Sequence, residues 1–155
     1  MLTKPAAATH RRRSVDAGFS LVELAVVLAV VAILSLLAYP GFKAALLKTR
    51  RSDAQATLMQ LQHRQERWRA QNSRYASREE IGAPDASPLG HYRIQVQAPT
   101  ATGFQLVAVA IGAQASDKPC SVMRIVQAEG NTLYTSGEGG PSGGVGGSAT
   151  GCWAP

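Results

Sequence analysis

The sequence predicts an α+β chain. One long N-terminal α-helix, membrane-spanning in its first half and amphipathic in its second, packs on a small antiparallel β-sheet. Three observations carry this expectation. The sixteen residues from Leu24 to Tyr39 bear no charge. Beyond Phe42 the apolar positions thin to a stripe at helical spacing, and from Tyr92 onward short apolar segments alternate with turn-forming residues. At 155 residues the chain holds one domain and an appendage, too little for two sizeable cores.

The first helix is the most constrained element. Counted from Phe19 to Tyr39 the segment has 21 residues, about 31 Å as a helix, enough to cross a hydrocarbon core. Glu23 lies inside it. A carboxylate there costs several kcal/mol unless paired, so an intramembrane acid points to function. The surrounding residues, Gly18-Phe19-Ser20-Leu21-Val22-Glu23-Leu24, resemble the prepilin signature of type IV pilins and related pseudopilins. That resemblance implies the type IV pilin fold, cleavage by a prepilin peptidase between Gly18 and Phe19, N-methylation of Phe19, and a role for Glu23 in setting subunit register during filament assembly. A secretory signal peptide or a plain single-span anchor would also place basic residues before an apolar run, but neither accounts for Gly18-Phe19 or Glu23.

Residues 1–18 therefore read as a cleaved leader, set aside from the fold. They carry Lys4, Arg11, Arg12, Arg13 and Asp16, so of the chain's formal charge of +6 the processed chain keeps 12 basic and 9 acidic residues, net +3. Arg11 to Arg13 face Lys43, Lys48, Arg50 and Arg51 across the span, a nearly balanced count for the positive-inside rule. A cytoplasmic leader rests on the family resemblance instead.

Residues 19–41 form the expected transmembrane and filament-core helix, and Pro40 is its expected kink or point of local melting, since proline removes one intrahelical hydrogen bond. In type IV pilins a proline at the matching place coincides with a bend. Residues 42–75 read as an amphipathic helix. Ala54, Leu58, Leu61, Gln65, Trp68, Asn72 and Tyr75 recur every three or four residues along one face. The resemblance to pilins extends through Ala38-Tyr39-Pro40-Gly41-Phe42, Arg50-Arg51-Ser52-Asp53-Ala54 and Gln71-Asn72-Ser73-Arg74-Tyr75. The other face is basic. It reads first as a solvated surface that meets acidic neighbours in a filament, and second as a phosphate-binding stripe in which Arg64, Arg67 and Arg74 contact DNA.

Residues 76–136 read as the antiparallel sheet of a globular head, opened by a turn-rich loop from Ser77 to Gly90. Tyr92, Ile94 and Val96 alternate with polar residues, Phe104 to Ile111 suits a central strand, and Ser121–Val126 with Thr132–Thr135 reads as a hairpin turning at Ala128-Glu129-Gly130-Asn131. Here the chain looks like PilE-type minor pilins: Phe104 to Ala110, then Gly112, Gln114, Asp117 and Cys120 in a Gly-x-Gln-x-x-Asp-x-x-Cys turn, then Gly151-Cys152-Trp153. Ser121 stands where those proteins more often have glycine.

Residues 137–155 form a C-terminal loop in which eight of the fifteen residues from Gly137 to Gly151 are glycine. With no side chains to bury and a large ordering cost, such a run should be a flexible loop. The two cysteines, Cys120 and Cys152, suit one disulfide in an oxidising compartment, which would pin the far end of the loop.

Catalytic signatures are missing. His10, His63 and His91 lack a second ligand at helical spacing, no serine lies in a Gly-x-Ser-x-Gly turn, and no glycine pattern fits a nucleotide loop. No cofactor or metal is called for, and the chain reads as a substrate of enzymes rather than an enzyme. The expected function is that of a minor pilin, a structural subunit of a type IV pilus supporting pilus biogenesis, adhesion or twitching motility. Its expected partners are major and minor pilin subunits, the prepilin peptidase and methyltransferase, the inner-membrane assembly platform and the membrane. DNA is a lesser partner, under the alternative of a competence pilin. A type II secretion pseudopilin is the remaining reading, weakened by the single C-terminal acid, Glu138, where a calcium cluster would need several. The expected location is the bacterial inner membrane as a single-pass precursor, then the extracellular pilus.

Overall fold

A computed structural model describes residues 19–139 and 151–153. The leader up to Gly18 and most of the glycine-rich run therefore lie outside the described residues. The chain divides into two compact units, Met1–Pro40 and Gly41–Pro155.

In the first unit the described residues are the beginning of one helix, α1 (Leu21–Arg69). Ser20 opens it: the Val22 amide donates to the Ser20 hydroxyl oxygen at 3.3 Å and the Leu24 amide to the Ser20 carbonyl at 3.1 Å. Every residue from Phe19 to Pro40 is exposed on the isolated chain, although the most apolar stretch reaches a mean hydropathy of 2.8. Such a surface needs lipid or other subunits to cover it. The helical backbone continues through Pro40, so the isolated chain does not melt there.

In the second unit α1 lays a stripe on a four-stranded sheet. Strands β1 (Tyr92–Gln97), β2 (Gly103–Ala110), β3 (Val122–Ala128) and β4 (Asn131–Gly137) form an antiparallel meander in the order β1-β2-β3-β4. Tyr92 pairs with Ala110, Leu106 with Ile125, and Ile125 with Tyr134. Ala54, Leu58 and Leu61 of α1 meet Ile94, Phe104, Leu106, Met123 and Ile125 in one core. Full burial of a leucine such as Leu58 contributes about 1.5–3 kcal/mol.

The β3–β4 hairpin turns at Glu129 (φ 49°) and Gly130 (φ 84°), both left-handed, the geometry a two-residue loop needs to match strand twist. Gly103 has a steric role: a Cβ there would stand 2.4 Å from the Gln127 carbonyl oxygen across the β2–β3 pair.

The amphipathic helix is shorter than its stripe suggested. It ends at Arg69 rather than Tyr75. Asn72 donates from its side chain to the Trp68 carbonyl at 2.9 Å, and Arg69 donates to the Asn72 carbonyl at 2.8 Å, so the last turn is closed by side chains. Tyr75 still enters the core, but from the following loop. Its amide donates to the Thr100 carbonyl at 2.9 Å and its ring meets Phe104 edge-on at 4.7 Å.

Candidate functional site: a disulfide-locked head with a basic helix face

The motif from Gly112 to Cys120 folds as two short 3-10 turns, Gly112–Ser116 and Lys118–Cys120, and two of its polar side chains, Gln114 and Asp117, reach α1. Asp117, 5% exposed, accepts two bonds from Arg51, from Nε at 2.7 Å and Nη2 at 2.9 Å. The fork matches the carboxylate geometry, and the Asp117 hydrogen bonds raise the Arg51 pKa above its already high value against the opposing effect of burial. Gln114, 1% exposed, places its side-chain nitrogen within reach of the Leu47 carbonyl (3.2 Å), the Tyr92 hydroxyl (3.0 Å) and Asp117 (3.2 Å). Burial pushes the Tyr92 phenol up to about 12. One residue pair thus ties helix to turn, and a second ties turn to strand.

Cys120 closes this turn onto the C-terminal segment through a disulfide with Cys152, Cα atoms 5.8 Å apart. The segment is also stitched in place without the sulfurs. Arg51 Nη1 donates to the Gly151 carbonyl at 3.2 Å and Gln55 to the Cys152 carbonyl at 2.5 Å. Trp153 donates to the Thr135 carbonyl at 2.9 Å and stacks edge-on against Tyr134. On the other side of Arg51, buried Asp53 accepts from the Ser87 hydroxyl and from the Leu89 amide (3.3 Å), which fixes the loop entering β1.

The three arginines singled out as possible DNA contacts come out differently. Arg64 donates to the carbonyls of Ile81 (3.1 Å) and Gly82 (3.0 Å), so its position is fixed, and it makes no ion pair among the described residues. Arg67 is exposed and makes no hydrogen bond or ion pair among the described residues. Arg74 forms a two-point pair with Glu80 at 2.7 and 2.8 Å, which offsets its charge. That pair holds the Glu80 carboxyl down to about 2, with help from the Ser77 amide at 2.7 Å. Glu80 and Ser77 bond reciprocally, as in a capping box. Arg64 and Arg67 border a recess of about 280 Å³ with Trp68, Gln71, Glu80 and Ile81.

Phe19 and Glu23, four residues apart, stand near the exposed start of α1, and Gly18 lies outside the described residues. No group of His, Cys, Asp and Glu among the described residues is placed to hold a metal ion. Sequence reasoning missed Arg51, Asp53 and Ser87 as structural pairs. Asp117 and Gln114 were visible only as members of the family turn.

Comparison with known proteins matches two adjoining stretches of the chain to families. Residues 13–39 match the prokaryotic N-terminal methylation motif. Residues 40–124 match the family described as type IV minor pilin ComP, DNA uptake sequence receptor. No curated protein matches the chain. The second match alone covers more than half of a chain that also has a long N-terminal helix packed on an antiparallel sheet, and the chain belongs to this family of type IV minor pilins.

Proposed function

We propose that this minor pilin is the DNA receptor of its pilus. The observation that carries the reading is the match of residues 40–124 to a family described as a DNA uptake sequence receptor. The head supports it with a basic helix face on which Arg67 is free to reach a phosphate and Arg64 is held in place by loop carbonyls. Arg74, paired with Glu80, contributes less. Each neutralised phosphate adds about −0.9 to the slope of log K against log salt, so two arginines give weak, salt-sensitive binding that base contacts must strengthen. The test is gel retardation of duplex DNA by the processed chain. Retention at low salt, lost in Arg64→Ala/Arg67→Ala, supports the reading; no retention by the wild type even at low salt removes it.

The same reading includes a maturation route. Residues 1–18 are removed after Gly18, Phe19 is methylated, and the chain waits in the inner membrane for the assembly platform. The amino group of Phe19 then pairs with Glu23 of an adjacent subunit. Pairing cancels two charges in an apolar filament core, and a misaligned register leaves both facing hydrocarbon. Pro40 gives the helix its point of bending. Such a subunit is structural and has no catalytic role of its own. The intact mass of the protein with and without its prepilin peptidase tests the route: loss of residues 1–18 and gain of one methyl supports it, and an uncut chain beside active peptidase rejects it.

A further inference from the structure

The stretch of α1 just beyond the apolar span carries charge of one sign only. No acidic residue occurs between Glu23 and Asp53. Asp53 is buried and bonded to Ser87 and Leu89, so the first exposed acid after Glu23 is Glu66. Four cations lie in that interval: Lys43, Lys48, Arg50 and Arg51. Arg51 is neutralised by Asp117. Lys43, Lys48 and Arg50 make no hydrogen bond or ion pair among the described residues, and both lysines are exposed.

We propose that Lys43, Lys48 and Arg50 form a collar that binds the anionic phospholipid surface of the membrane in which the span is anchored. Position along the chain favours this partner. The three residues follow Tyr39, the end of the apolar run, by four, nine and eleven residues. At a rise of about 1.5 Å per residue, Lys43 falls in the headgroup layer, which is about 5–8 Å deep on each side of the hydrocarbon. Lys48 and Arg50 fall within about one Debye length of its outer edge, near enough to be attracted by its negative potential.

Angular spread favours it too. Lys43 and Arg50 are seven residues apart and share a face, whereas Lys48 lies about 140° round the helix. A nucleic-acid groove or one neighbouring subunit meets one face of a helix; a bilayer meets all of them.

The inference rests on Leu24–Tyr39 lying in a bilayer and is independent of the DNA-receptor reading. Its test uses the processed chain reconstituted in phosphatidylcholine vesicles, with spin-labelled phosphatidylglycerol or phosphatidylcholine as probe. The motionally restricted signal reports lipid at the protein surface, and the ratio of the two probes reports headgroup selectivity. The expected result is a phosphatidylglycerol preference of about threefold or more at low ionic strength. It should fall to near one at about 1 M salt, where screening is over about 3 Å. It should also fall to near one in Lys43→Gln/Lys48→Gln/Arg50→Gln and survive in Lys43→Arg/Lys48→Arg. A restricted signal with equal probes overturns the collar and leaves the span in the membrane; no restricted signal at all removes the span and the collar together. Should the triple variant lose duplex DNA retention while keeping its lipid preference, the cations serve nucleic acid and the proposal is wrong.

Discussion

Replacing Arg51 by methionine should destabilise the head by about 3 kcal/mol. Methionine keeps most of the apolar stem and removes the guanidinium fork. Asp117, 5% exposed, is then left with the Gln114 side chain, 3.2 Å away, in place of two short charge-assisted bonds. Breaking a buried ion pair from one side costs about 3–5 kcal/mol; Arg51 is 18% exposed, so the low end applies. For a cooperative unit the size of residues 41–155, about 4 °C per kcal/mol makes this a drop of roughly 12 °C in Tm. The assay is thermal unfolding of the processed chain in detergent, followed by near-ultraviolet circular dichroism with the disulfide intact. The double variant Arg51→Met/Asp117→Leu should recover most of the loss, because replacing both charges by apolar groups is close to neutral. A loss below about 0.5 kcal/mol in Arg51→Met would mean that the pair is a surface ion pair in energetic terms, and the account of the turn motif would fail.

Three further outcomes are expected. Gly103→Ala should destabilise by about 2 kcal/mol or more, because its Cβ would stand 2.4 Å from backbone; urea unfolding with an unchanged midpoint would contradict this. The Glu80 carboxyl is lowered from 4.5 to about 2, so the unfolded chain binds more protons between those values. Loop stability from Arg74–Glu80 is therefore complete above pH 4.5 and lost as pH falls towards 2; protection of the Ser77 amide, taken relative to its intrinsic exchange rate, that stays constant across this window counts against the pairing. Glu23→Val should leave peptidase cleavage intact and lower incorporation into pili, and normal pili from that variant would rule out the register role of Glu23.

Much of this fold was legible because burial writes a period into sequence. The alternation of Tyr92, Ile94 and Val96 fixed which face of β1 is wet, and Glu129-Gly130 marked the hairpin by supplying left-handed backbone. The helix end was misplaced for an instructive reason. Tyr75 is buried and falls on the helical stripe, yet it reaches the core from a loop that Asn72 and Arg69 close, and periodicity registers burial without the path of the backbone. The polar pairs were illegible for a different one. Arg51 and Asp117 are 66 positions apart, and nothing local distinguishes Arg51 from Arg50 beside it. The same applies to the basic face: only the structure separates Arg67, free, from Arg74, compensated by a glutamate six residues on.

The meander order has a consequence for how the subunit is made. Each strand pairs with the strand next to it in the chain, so the sheet can assemble progressively as the polypeptide lengthens. Three residues escape that rule. Gly151, Cys152 and Trp153 bond back to Arg51, Gln55, Cys120 and Thr135, so the covalent lock on the head closes only once residues 151–153 are in place and an oxidant has met the two thiols. Oxidation thereby becomes a checkpoint: a subunit whose two thiols stay reduced keeps its C-terminal segment on hydrogen bonds alone.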